Sequence, residues 1–122
     1  MVQFSTDKPI YAQIIDHMSA GIVTGQYASG SKLPSVRELA MELGVNPNTV
    51  QRALADLELR GLVYSERTAG RFVTEDKPLI EQTRAALVKG GVLAFIKSMK
   101  QFGCTGEELA QMVRQYFEEA DA

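Results

Sequence analysis

Ile10, Ile14, Met18 and Ile22 recur every four residues, with Ile15 beside them and Gln13, Asp16 and His17 between. That spacing predicts an amphipathic helix, with Pro9 at its tolerant first turn and Gly25 as its stop. The stretch 27–31 (YASGS) reads as a loop. Leu39, Ala40 and Leu43 then give a short apolar face behind Ser35, which is followed three residues later by Glu38. Serine and glutamate at that spacing form a capping box: the hydroxyl accepts from a free amide of the first turn, and the carboxylate accepts from the serine amide. Gly44 ends this helix, because the left-handed turn needed there strains any residue with a Cβ. Asn46 and Pro47 open a third helix, cap then first turn, with Val50, Ala53, Leu54 and Leu57 on one buried stripe and Gly61 after it. Two helices joined by a tight glycine turn make a helix-turn-helix. Beyond Gly61, LVYSE and RFVTE alternate apolar with polar residues around Arg67 to Gly70, which predicts a two-stranded hairpin, or wing.

The pattern therefore implies a mainly α fold with a small β-hairpin: a winged helix-turn-helix over 1–75, then a two-helix dimerisation region over 76–122. Asp76, Lys77 and Pro78 read as a hinge. A long helix is expected from Leu79 to about Phe102, with Ile80, Thr83, Leu87, Ala94, Phe95 and Met99 on an interior face. Gly90 and Gly91 interrupt it, which suggests either a bend or a close helix crossing. Thr105 and Glu108 make a second capping box before a last helix bearing Leu109, Met112, Val113, Tyr116, Phe117 and Ala120. Two helices cannot enclose both of their own apolar faces. The tail must fold back on the head or pair with an identical tail about a two-fold axis, and pairing is the simpler remedy. The expected dimer interface comprises Leu87, Phe95, Leu109, Met112, Val113, Tyr116 and Phe117.

Composition narrows the chemistry. The 122 residues include one cysteine, Cys104, and one histidine, His17, too few for a disulfide or a zinc site of nitrogen and sulfur ligands. Cys104 reads as a packing residue and His17 as a solvated one. No nucleophile, base and orienting group can be nominated together, so neither an enzyme nor a cofactor is expected. Neither a signal peptide nor a membrane-length apolar run is evident, and a cytoplasmic protein is the expectation. A net charge of −2 argues against indiscriminate coating of nucleic acid. Placement of charge must then carry any DNA contact. Between Lys32 and Val73 there are six basic residues (Lys32, Arg37, Arg52, Arg60, Arg67, Arg71) and five acidic ones.

Removing the buried stripe from NPNTVQRALADLELR leaves Asn48, Thr49, Gln51 and Arg52 projecting near the start of the third helix. A recognition helix presents such residues to base edges in the major groove. Asn and Gln pair bidentately with adenine, Arg with guanine, and Thr takes a phosphate or a thymine methyl. Lys32, Ser35 and Arg37 gather at the preceding helix start, where free amides attract phosphate. Arg67, Gly70 and Arg71 flank the hairpin tip, within reach of a minor groove, and Tyr11 could add a backbone contact. A winged helix used for protein or RNA contacts would not need this outward polar set.

PIYAQI and the run KLPSVRELAMELGVNPNTVQRALADLELRGLVYSERTAGRFV together closely resemble the GntR family of bacterial regulators. The elements LPS-x-R-x-LA, NPNTV-x-RA and the closing FV strand occur at family spacing over roughly residues 8–75, and the short tail is similar to the YtrA-like branch. The resemblance implies a regulator, chiefly a repressor, binding a near-palindromic operator as a homodimer, in this branch often that of a transporter operon. It implies DNA contacts at Arg37, Asn48, Thr49 and Arg52, with Tyr11 and Ser35 on phosphates. The wing departs from the Arg-Gly-x-Gly of many members: Thr68 stands where a glycine would let backbone approach the minor groove. Fewer than fifty residues follow the wing, too few for a separate effector domain. A small-molecule effector would then act at the dimer interface or between tail and head, by changing the spacing of two heads set one helical turn apart.

Overall fold

The computed structural model describes residues 3–121. Helix α1 spans Ile10–Val23, α2 Val36–Leu43 and α3 Pro47–Leu59. Strands β1 (Val63–Glu66) and β2 (Gly70–Val73) pair antiparallel, with Val63 opposite Val73 and Glu66 opposite Gly70. Helix α4 (Lys77–Lys100) and α5 (Gly106–Tyr116) follow, then a short 3-10 turn at Glu119–Asp121. The chain divides into two compact units, with the division between Ala86 and Leu87 inside α4.

The first unit is built around the apolar stripes that the sequence predicts. Ile14 and Met18 of α1, Leu39 of α2, and Val50, Leu54 and Leu57 of α3 are fully buried, and Leu62, Val63 and Val73 of the hairpin close the same core. Local signals set the helix ends. Pro9 precedes α1 in extended conformation, Ser35 and Glu38 form both bonds of the capping box, and Gly44 is left-handed at φ 69°. Ile10, expected on the buried stripe, is exposed at the open first turn.

Two features lie beyond the sequence reading. Gly30 to Leu33, expected as loop and linker, runs antiparallel beside β2: Gly30 N–H donates to Val73 O, Val73 N–H to Ser31 O and Leu33 N–H to Arg71 O, each at 2.9 Å. The wing is thereby fixed on one edge by the segment that leads into α2. The first turn of α4 also belongs to this unit, because Leu79 and Ile80 are half-buried against its core. The compact head thus continues past the expected hinge at 76–78.

The second unit has almost no interior. Leu109 is its one buried hydrophobic among the described residues, at 8% exposure. Phe95, Met112, Val113, Tyr116 and Phe117 are all exposed, and Leu87 and Met99 are half-buried. The interior face expected along α4 is therefore only partly covered among the described residues: Ile80 packs on the head, no residue of α4 is fully buried, and Ala94 and Phe95 lie open. Helix α4 runs through Gly90 and Gly91 without a break, and a Cβ added at either would meet nothing within 4 Å. The close crossing suggested by that pair does not occur within the chain. Thr105 and Glu108 cap α5 reciprocally, as their spacing predicts, but α5 stops at Tyr116, short of Phe117 and Ala120.

Candidate nucleic-acid interface

Helix α3 is anchored at its start by Asn46, whose side chain accepts from the Asn48 amide at 2.8 Å, with Pro47 as the first helical residue. Its apolar stripe is sunk in the core, so the opposite side must face out. Asn48, Gln51 and Arg52 are exposed and Thr49 is half-buried. Helix α1 packs on α3 more extensively than on any other element, which brings Tyr11 beside Arg52. The Arg52 Cζ lies 3.6 Å from the centroid of the Tyr11 ring. Ile10, Tyr11, Asn48, Thr49 and Arg52 line one shallow depression.

A second cluster forms between the start of α2 and the wing. Lys32, Ser35, Thr68, Gly70 and Arg71 line a common groove. Ser35 Oγ accepts from the Glu38 amide at 3.1 Å, and the Ser35 amide donates to Glu38 Oε1 at 2.9 Å. The bond from the Ser35 amide, then that with its side chain, holds the Glu38 carboxyl below its usual range. A carboxylate therefore already occupies the α2 N-terminus, leaving the Ser35 hydroxyl proton and the exposed Arg37 as the groups suited to a phosphate there. At the wing, Gly70 has φ 111°, and a Cβ built there would stand 2.9 Å from Lys32 Cε. Glycine is required by the backbone angle, and its bareness lets the Lys32 stem cross the hairpin. Arg67 is exposed near the tip, in neither cluster.

Arg71 behaves differently from the expectation that it projects toward DNA. Its Nε donates to Glu58 Oε1 of α3 at 2.7 Å, and the Ser65 hydroxyl of β1 donates to the same oxygen at 2.6 Å. The Ser65 hydroxyl first, and the Arg71 guanidinium next, hold the Glu58 carboxyl below its usual range. One carboxylate thus ties both wing strands to α3. Glu58 and Arg71 are far apart in sequence and carry no shared motif, so no local signal announces the pair. Nor does one announce the stacking of Tyr64 on Phe72 across the hairpin, with ring centroids 5.8 Å apart.

The sequence-selected residues thus gather as two clusters, Tyr11, Asn48, Thr49 and Arg52 in one, Lys32, Ser35, Gly70 and Arg71 in the other, with Arg37, Gln51 and Arg67 exposed outside them. Those expected at a subunit interface sit in the second unit, where Phe95, Leu109, Met112, Val113, Tyr116 and Phe117 line one apolar groove of about 330 Å³. Among the described residues there is no group of three metal-ligating side chains, and no helix is long and apolar enough to cross a membrane.

Residues 10–73 match the family model described as bacterial regulatory proteins, gntR family. The chain is 33% identical over 108 residues to the HTH-type transcriptional repressor YtrA of Bacillus subtilis, covering 88% of this chain and 83% of that protein. Its fold superposes on a GntR family transcriptional regulator from Listeria monocytogenes with a TM-score of 0.83 at 44% identity, over 92% of this chain and 98% of the other. The head is also similar to the AraR DNA-binding domain solved in complex with operator ORX1, with a TM-score of 0.56 and 33% identity over 61% of this chain and 95% of that one.

Proposed function

Given that the chain belongs to the GntR family of bacterial regulatory proteins, which are DNA-binding transcriptional regulators rather than enzymes, we propose that it is a homodimeric repressor of a near-palindromic operator. The observation that carries the reading is the division of α3. Val50, Ala53, Leu54 and Leu57 are buried, while Asn48, Gln51 and Arg52 stand free at its N-terminal end. That is the end a recognition helix turns toward base edges. Asn48, Thr49, Gln51 and Arg52 read bases in the major groove, and Lys32, Ser35, Arg37 and Tyr11 meet phosphates. Arg67 and Gly70 bring the wing to the neighbouring groove, and Arg71 holds it in place through Glu58.

Dimerisation rests on the open apolar face of the tail, including Leu87 and Phe95 of α4 and Met112, Val113 and Tyr116 of α5. Contiguous exposed apolar surface of this kind marks an interaction site. A second copy carries the identical face and closes it symmetrically. Likeness to a named repressor favours repression over activation. The resemblance to the YtrA-like branch extends the reading to a transporter operon as the regulated target.

Selection of bound duplexes from a random DNA pool tests these points together. The expected product is two inverted half-sites about one helical turn, ~34–36 Å, apart. Recovery of single half-sites would remove the dimer, and recovery of no preferred sequence would remove the regulator.

A further inference from the structure

We propose that Tyr11 is a positioning residue for base recognition: its ring holds the Arg52 guanidinium flat and aimed outward, so that Arg52 reads guanine from a prearranged pose. The inference rests on the reading of α3 as the recognition helix. A guanidinium carbon 3.6 Å from a ring centroid must have its plane lying on the ring, because an edge-on approach would drive a nitrogen into the ring carbons. The ring itself is fixed, since Tyr11 is half-buried against the core where α1 packs on α3.

The remaining surroundings of Arg52 fit this role. Arg60, Arg71 and Arg84 each hold a carboxylate, whereas no ion pair of Arg52 is found among the described residues. Stacking engages the face of the guanidinium and leaves its in-plane N–H donors unspent. Those donors are the ones a bidentate bond to guanine O6 and N7 requires. Asn48 and Thr49 line the same depression, so the stacked cation stands within the candidate base-reading set. An exposed arginine otherwise loses much rotamer freedom on binding, and a prior stack reduces that loss. Tyr11 thus acts through its aromatic face, in addition to any phosphate contact by its hydroxyl.

The test uses the full-length chain, the duplex selected from a random pool, the same duplex with the best-conserved guanine of each half-site replaced, and a scrambled duplex. The variants are Tyr11→Phe, Tyr11→Leu, Arg52→Ala and Tyr11→Leu combined with Arg52→Ala. Tyr11→Phe keeps the ring and is expected to retain discrimination for the guanine. Tyr11→Leu should reduce that discrimination about two- to fivefold per half-site, the worth of an exposed cation–π contact, while any weakening on the scrambled duplex should be the same for Tyr11→Phe and Tyr11→Leu, because both act there only through the hydroxyl. In the Arg52→Ala background, Tyr11→Leu should have no further effect on discrimination. Equal loss of guanine discrimination from Tyr11→Phe and Tyr11→Leu would assign that discrimination to the hydroxyl and overturn the proposal. Independent, multiplying losses from Tyr11→Leu and Arg52→Ala would overturn it as well. If Arg52→Ala itself leaves discrimination intact, the assignment of Arg52 as a base reader fails first.

Discussion

Replacing Val113 by aspartate should separate the two copies of the proposed dimer. Val113 lies at 46% exposure on α5, lines the apolar groove of the tail, and is in no buried core among the described residues. Complete burial of a side chain such as Val, Phe or Met is worth about 1.5–3 kcal/mol, so covering a half-exposed one yields roughly 1 kcal/mol. Some six such residues from each of two copies supply on the order of 10 kcal/mol against the cost of association. The substitution forfeits about 2 kcal/mol of this, counted over both copies. It also brings two carboxylates into apolar contact across a symmetry axis, each costing further free energy unless the contact opens. The combined loss is about 4 kcal/mol or more, close to a thousandfold in the dimer dissociation constant. Sedimentation velocity at micromolar concentration should show a dimer for the unaltered chain and a monomer for Val113→Asp. Because this residue is half-exposed already, helical circular dichroism of the monomer should be largely preserved. A variant that sediments as a dimer with unchanged affinity would place the interface elsewhere and refute the reasoning.

Three further outcomes follow from the head. Lys32→Ala should weaken selected and scrambled duplexes by the same factor, since a phosphate contact carries no sequence information; competition binding that showed selective loss on the selected duplex would contradict that role. Glu58→Gln should lower head stability by about 1 kcal/mol, or roughly 4–8 °C in melting temperature, by weakening the bonds from Ser65 and Arg71. The Glu58 carboxyl is held below its unfolded value, so its contribution is complete above that value and disappears as pH falls through the lowered folded one; melting curves from pH 6 to pH 3 should therefore show a shallower acid decline in the variant. Gly70→Ala should cost about 1–3 kcal/mol from the backbone angle, and thermal melting that showed no loss would mean the hairpin can rebuild its tip.

Most of the head was legible because its determinants are local. Ser35 with Glu38, Asn46 with Pro47, and Gly44 each fix a helix end within a few residues, and the stripe from Val50 to Leu57 states directly which side of α3 is buried. What escaped depends on distant pairing. The strand-like run of Gly30 to Leu33 is defined by bonds to Arg71 and Val73, some forty residues on. Arg71 is expected from sequence at a minor groove, and only the fold brings Glu58 to its guanidinium; likewise only the fold brings Arg52 over the ring of Tyr11, whose expected phosphate contact the stack leaves open. In the tail, periodicity identified an apolar face on each helix, but periodicity carries no information on what covers that face. The same limit explains α4, whose expected interior positions are at most half-buried, with Ala94 and Phe95 open.

The engagement of Arg71 by Glu58 bears on how electrolyte modulates DNA affinity. Of the six cations between Lys32 and Val73, Arg60 and Arg71 are already neutralised by Asp56 and Glu58, which leaves four: Lys32, Arg37, Arg52 and Arg67. If two copies bind as proposed, these four cations displace about eight condensed counterions, for a logarithmic slope of affinity on salt concentration of about −7. A slope of that size would still lower affinity about ten-thousandfold between 50 and 200 mM salt, so a weak operator at low ionic strength and a strong one at high ionic strength become indistinguishable unless both are measured in one buffer.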